Sequence, residues 1–249
     1  MPEAIEHLVY TGSSGSYSSL ISLDCEIRGL VRASRMPSPY IELDYQTEPS
    51  FLQVLPVYGH HHDMILVRPP GYATLAGLGI RSLRRAWLSG KAADIGYLHH
   101  LRFLPQIRGG PYLLKGYRAL RRACCQKPVP LTITSILEDN RTARDVLENK
   151  RAGGAMPSYI PVSRFLTALI PLRGPGIRWP LRYRSVAGQR ETLRRLTAAD
   201  LPQLIDLFAD FGRCYDGAPV FTAADFSEAA DGILSGLDIT AMLGIFENS

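Results

Sequence analysis

The sequence predicts an α/β fold in which a mixed central sheet is flanked by helices. Three observations predict it. Extended and helical patterns alternate from about residue 64 to residue 153. The runs MILVR (64–68) and ATLAGLGIRSL (73–83) are separated by Pro69-Pro70-Gly71, which makes them an antiparallel hairpin. A helical segment separates the strand-like IGYLHHLRFL (95–104) from the β-branched LTITSIL (131–137), as in a parallel crossover.

Taken in order, the first 23 residues read as a tether, because TGSSGSYSSL is small, polar and unpatterned. A short helix is expected from Asp24, with Asp24 as its cap and Ile27, Leu30 and Val31 on one side. The hairpin follows, then the third strand, with SGKAAD connecting them. Pro105 stops that strand, Arg108-Gly109-Gly110 turns the chain, and Pro111 opens a helix that repeats Leu113, Leu114, Tyr117, Leu120 and Cys124 at helical spacing, the first four expected in the core. Its other side carries Lys115, Arg118, Arg121 and Arg122. After the buried strand expected at 131–137, a helix capped by Asp139 or Asn140 runs to about Gly153. FLTALIPL and IRWPLRYRSV are further β-like runs, which Pro171 and Pro180 assign to edges or interruptions.

Residues 24–188 therefore form the first domain. Past Gln189 the pattern restarts with a capping-box variant, Thr197 to Asp200, and an apolar face of Leu204, Ile205, Leu207, Phe208 and Phe211. Helical residues near 225–234 and a strand-like end follow. Two helices and one strand give that strand little surface to bury against, so 189–249 is read as the start of a second, incomplete unit.

With 249 residues, 46% hydrophobic and 20% charged, disorder is excluded as the default. The net charge of +5 favours an anionic ligand without requiring one. Four cysteines fit neither a disulfide framework nor metal-ligand spacing, so a reduced, cytoplasmic protein without a metal is expected. No run approaches ~18 apolar residues, which argues against a membrane span. Nucleic acid is disfavoured because neither a recognition helix nor an aromatic stacking pattern is present.

The chemistry concentrates at 95–112. A glycine-rich turn feeding a helix start gathers unpaired N–H groups ahead of the positive end of the helix dipole, a cradle for phosphate. His99 and His100 are candidate bases, and strand alternation lets only one of them face a cleft. Glu48 is a weaker candidate. His60, His61 and His62 read as a surface loop, since successive residues rarely converge on one ion.

The fragments YIELDYQTEPSFL, GYLHHLRFLPQIRGG, ITSILEDNRTARDVLE and MPSYIPV, in this order across most of residues 40–162, resemble the GNAT (GCN5-related) N-acetyltransferases, in particular the bacterial tandem-GNAT type. The resemblance implies a GNAT-like acyl-CoA N-acyltransferase fold, acetyl-CoA as cosubstrate and a primary amine as acceptor, a small molecule or a protein. It implies pantetheine bonds to the backbone of Leu101 and Phe103, and the pyrophosphate over Arg108, Gly109, Gly110 and the helix start at Tyr112. It also implies a coenzyme or strand-end contact from Asn140, within Asn-x-x-Ala completed by Ala143. Catalytic roles would fall to His99, His100 and Tyr159. The chain departs from the family pattern where Pro111 and Leu113 replace small residues, and where Leu147 stands in place of an acid-donating Tyr. Tyr159, Tyr112 or solvent would then donate that proton. The same departures make a coenzyme-binding module without chemistry the alternative.

Overall fold

The computed structural model describes residues 4–12, 17–37, 42–43, 45–148, 156–165, 191–226 and 239–247. A five-stranded mixed sheet organises them. Strand β1 (Ile5–Tyr10) pairs antiparallel with β2 (His61–Val67), β2 with β3 (Gly77–Leu88), and β3 with β4 (Lys91–Phe103). The last neighbour, β5 (Thr132–Thr134), runs parallel to β4. The expected mixed sheet, antiparallel at the hairpin and parallel at the crossover, is what forms.

Helix α1 (Tyr17–Ala33) covers one face of the sheet. Its Leu23, Ile27, Leu30 and Val31 recur at helical spacing and pack on Met64 and Leu66 of β2, Leu78 and Ile80 of β3, and Phe51, Leu52 and Leu55. Each such side chain contributes about 1.5–3 kcal/mol on burial. Helix α2 (Tyr112–Gln126) lies on the other face against β1 and β2, with Gly116 beside Ile65. Helix α3 (Arg141–Glu148) follows β5.

Several expectations are corrected. The stretch taken as a tether contains β1 and the first turns of α1, because Ile5–Tyr10 finds a full antiparallel partner in Val67–His62. Asp24 is not a cap but lies mid-helix; its buried carboxylate accepts from Arg28 Nε (2.8 Å), Ser50 Oγ (2.8 Å) and Leu52 N (2.9 Å), tying α1 to the loop that follows. SGKAAD is not a connector: Ser89-Gly90 is the turn, and Lys91 onward already belongs to β4. The expected buried strand 131–137 shrinks to three residues, with Thr132 and Ile133 exposed. Leu113, Leu114 and Leu120 are half-buried, and Leu113 and Leu120 face a cavity instead of close-packed core. His61 and His62 are buried strand residues, not loop. The runs FLTALIPL and IRWPLRYRSV fall, apart from Phe165, outside the described residues, as do the end of the helix near Gly153 and residues 227–234.

In the C-terminal part, β6 (Glu191–Arg195) pairs antiparallel with β7 (Leu243–Glu247), and α4 (Leu201–Gly212) follows the capping box that Thr197 and Asp200 form as expected. Arg194 and the Thr197 N–H and hydroxyl hold the Asp200 carboxyl far below its ordinary range. The tip of the β3–β4 hairpin docks here: Trp87 exchanges backbone bonds of 2.8 Å with Gly217 and Ala218, and only a glycine at 212 leaves room for its ring. Leu193, Leu207, Phe211, Leu243 and Ile245 are exposed.

Candidate functional site

The site begins with one irregularity in β4. Pairing with β3 runs regularly to Ile80↔His99 and resumes at Leu78↔Arg102, so His100 and Leu101 together oppose Gly79. This is a β-bulge, and it puts His100 in the left-handed region at φ 52°. That conformation costs a non-glycine residue about 1–2 kcal/mol. It also undoes the expected alternation. Both imidazoles lie on one side, with ring centroids 4.9 Å apart and the two Nδ1 atoms 2.6 Å apart.

Behind them runs a hydrogen-bonded chain that strand register makes. His62 on β2 is paired with Ser82 on β3, and Ser82 with Tyr97 on β4, so His62, Ser82 and His99 share the α1 side of the sheet. The Ser82 hydroxyl lies 2.7 Å from His62 Nδ1 and 2.6 Å from His99 Nε2. One hydroxyl proton and two lone pairs let Ser82 donate to one ring while accepting from the other. Burial, with neighbouring His100 and His62, holds His99 well below the ordinary imidazole range. Burial lowers His100 to about 4, with Arg102 adding to it, and lowers His62 to about 4, with His61 and His60 adding. All three rings are neutral at pH 7.

Aromatic side chains enclose the pair. Tyr58 stacks on His99 at 4.2 Å between centroids, Tyr97 lies near-parallel to both, 5.3 Å from His99 and 6.0 Å from Tyr58, and Tyr45 and Phe51 meet His100 edge-on at 5.1 and 5.0 Å. The Tyr45 and Tyr58 hydroxyls bond to each other, and burial pushes the Tyr58 phenol up. His100 Nε2 is buried without a partner among the described residues.

A cavity of about 930 Å³ opens from this cluster. It exists because β4 and β5 pair only over Gly96–Leu98 and Thr132–Thr134, and β4 then continues alone to Phe103 while the other chain turns away through Ser135 to Asn140. His99, His100, Leu101 and Phe103 all line it, as does Tyr159, whose hydroxyl is 2.7 Å from that of Tyr117. Burial, with Tyr159 beside it, raises the Tyr117 phenol; burial also raises Tyr159. Leu147 is buried in the cavity wall and offers no proton. Asn140 lines it too, but its Oδ1 accepts from Ala143 N at 3.1 Å, so it caps α3.

Arg108, Gly109, Gly110 and Tyr112 are not part of that wall. Gly109 adopts φ 76°, which the turn requires and a glycine supplies. The N–H groups of Arg108 and Gly110 are drawn to Pro105 O and Ile107 O at 3.3 and 3.4 Å. The N–H groups left open here are therefore mainly those of the first turn of α2, Tyr112 to Leu114. Arg108 Nε donates to Phe103 O at 3.2 Å, and Tyr112 packs on Val67, Ala76 and Ile107. Glu48 lies apart, paired with Arg28 and, at 3.6 Å, with Arg32.

A second polar cluster, not anticipated in the sequence, fixes α2. Asp63 and Arg81 face each other across β2 and β3 on the α2 side, Arg81 Nε donating to Asp63 Oδ2 at 2.8 Å. Arg81 is fully buried and also donates to Ala123 O (3.1 Å) and Lys127 O (3.2 Å), the carbonyls that end α2. Burial pushes the Asp63 carboxyl up, but Arg81 and the His7 ring at 3.0 Å outweigh it and hold it below its ordinary value. Asp63 in β2 and an arginine set between Ile80 and Leu83 of β3 were the available signal.

No protein-family model matches the sequence, and no curated protein does. Among solved structures the chain is similar to an acetyltransferase of Trypanosoma brucei, with 12% identity and a TM-score of 0.41 over 67% of this chain and 99% of that one. It is similar to ribosomal-protein-alanine N-acetyltransferase of Brucella melitensis biovar Abortus, with 13% identity and a TM-score of 0.41 over 66% and 100%. Glucosamine-6-phosphate N-acetyltransferase of Arabidopsis thaliana matches at 13% identity and a TM-score of 0.31, over 43% and 67%.

Proposed function

We propose that the chain is a GNAT-type N-acyltransferase that moves an acetyl group from acetyl-CoA to a primary amine. The observation that carries this reading is the free edge of β4 beyond Leu98, which borders the cavity with imidazoles on one side and a phenol pair on the other. An extended thioester arm can bond to the backbone of Leu101 and Phe103 as a missing strand would, and its phosphates can reach the first turn of α2.

The amine must lose a proton as its nitrogen bonds to the acetyl carbon, and the departing sulfur must gain one. His100 is neutral throughout the physiological range and takes the first, directly or through one water, at its Nε2, the one ring nitrogen of the pair left without a partner among the described residues. His99, Ser82 and His62 pass positive charge away from the cavity. Tyr159, backed by Tyr117, supplies the second. A base placed in this way contributes about 10²–10⁴-fold. A backbone N–H of the bulged segment polarises the thioester carbonyl.

The second reading, a coenzyme-binding module without chemistry, is favoured by one observation: Leu147 is buried in the wall where a proton donor would serve the sulfur. Calorimetry with acetyl-CoA, followed by thiol release over a panel of amines, tests both. Saturable binding with amine-dependent thiol release supports the enzyme. Binding without release supports the module, and no binding contradicts both.

A further inference from the structure

Arg102 is the cavity residue whose charge is left unanswered. It stands opposite Leu78 in the register, two strand positions from the Ile80 that opposes His99, so its side chain leaves β4 on the same face as His99. It lines the cavity, its Nε is buried without a partner among the described residues, and its Nη1 donates to the carbonyl of Leu101 at 3.2 Å. No carboxylate forms an ion pair with it among the described residues; the ionisable groups acting on it are Tyr45, Tyr58 and Arg108. The other arginines of the cavity wall are answered: Arg144 pairs with Glu148 at 3.0 Å and Arg164 with Glu138 at 3.3 Å. Burying a guanidinium without a counter-charge is costly, and a planar fork of donors matches a carboxylate.

On the basis of the acyltransferase reading, we propose that Arg102 binds the carboxylate of the acceptor, so that the substrate is an amine that also carries a carboxylate, an amino acid or a short amino acid homologue. His100 and Arg102 are two residues apart along β4, at most ~7 Å between backbones. An amine held at His100 and a carboxylate held at Arg102 therefore belong to one small molecule, with Tyr45 and Tyr58 lining the space between. In the reaction the acceptor's N–C bond forms as the C–S bond of the thioester breaks, the amine proton leaves through His100 Nε2, the departing sulfur takes a proton from Tyr159, and the carboxylate is unchanged. A single guanidinium suits a monoanion better than a phosphate dianion, and among the described residues that line the cavity the other arginines are already paired.

The experiment compares thiol release from acetyl-CoA with glycine, β-alanine and 4-aminobutyrate against methylamine, ethylamine and propylamine, with phosphoethanolamine alongside. The expected result is a kcat/KM at least tenfold higher for a carboxylate-bearing amine than for its bare counterpart, carried mostly by KM. Arg102→Gln removes the difference, Arg102→Lys restores part of it, and the calorimetric Kd for acetyl-CoA is unchanged in both. Equal rates for both series overturn the proposal while leaving the acyltransferase reading intact. A preference for phosphoethanolamine, or an Arg102→Gln variant that weakens acetyl-CoA binding, also overturns it, the latter by assigning Arg102 to the coenzyme. Absence of both coenzyme binding and thiol release removes the acyltransferase reading and this inference with it. Should Arg102→Gln fail to fold, the wild-type panel alone still decides.

Discussion

Two polar clusters occupy the same strands, one residue apart, on opposite faces of the sheet. Asp63 and Arg81 point to the α2 side; His62 and Ser82, their immediate neighbours, point to the α1 side. The first is closed. Arg81 and Asp63 answer each other, His7 completes the carboxylate, and two carbonyls of α2 take the remaining donors. The second is open: it passes through His99 to His100, whose Nε2 has no partner among the described residues, at the wall of a cavity. A closed network holds a helix in place, whereas an open one has capacity left for a substrate.

The largest effect expected from breaking this contrast is on the closed side. Arg81→Ala leaves the Asp63 charge buried and unpaired, and denaturant unfolding should show a loss of about 3–5 kcal/mol. On the open side, Ser82→Ala and His99→Gln should lower kcat for thiol release by about 10²-fold, with far smaller changes in unfolding free energy and an unchanged Kd for acetyl-CoA. Comparable destabilisation on both sides would erase the distinction. Gly109→Glu brings a carboxylate to the turn at the head of α2 and should weaken acetyl-CoA binding by calorimetry at least tenfold; since an added side chain there meets open space, the fold survives at a cost of about 1 kcal/mol for the left-handed backbone. Unchanged affinity would move the diphosphate elsewhere. Asn140→Ala, which removes only the cap of α3, should cost about 1 kcal/mol.

The two clusters also respond to acid differently. His62 and His100 are lowered to about 4, so the unfolded chain binds protons at these sites before the folded one does. Their contribution is intact above the ordinary imidazole value near 6.5 and drains away as pH falls from there to about 4. Asp63 is lowered from an already acidic value, so its contribution persists through that window and is lost only in stronger acid. Stability measured against pH should therefore decline first between about 6.5 and 4, and substituting His62 by Gln should flatten that decline.

Much of this was legible in the chain. Pro105, Gly109 and Pro111 each have a backbone reason for their place, and the strand, turn and helix they punctuate formed as expected. Asn140 and the Thr197–Asp200 box are local signals, and both cap helices. What failed depended on partners distant in sequence. Ile5–Tyr10 becomes a strand only because β2 lies alongside, and the glycines and serines after it hid that pattern. Ser82 joins two histidines through register alone. The bulge at His100 was the decisive omission: alternation holds for a regular strand, and a single extra residue opposite Gly79 turned two exclusive candidates into one bonded pair.

The central claim, that the open imidazole chain serves acyl transfer, is tested most directly by thiol release from acetyl-CoA in wild type and His99→Gln at saturating coenzyme and amine. The account predicts amine-dependent release in the wild type, a loss of about 10²-fold in the variant, and equal calorimetric affinity for acetyl-CoA in both. Release that proceeds at the wild-type rate without the His99 ring would contradict it.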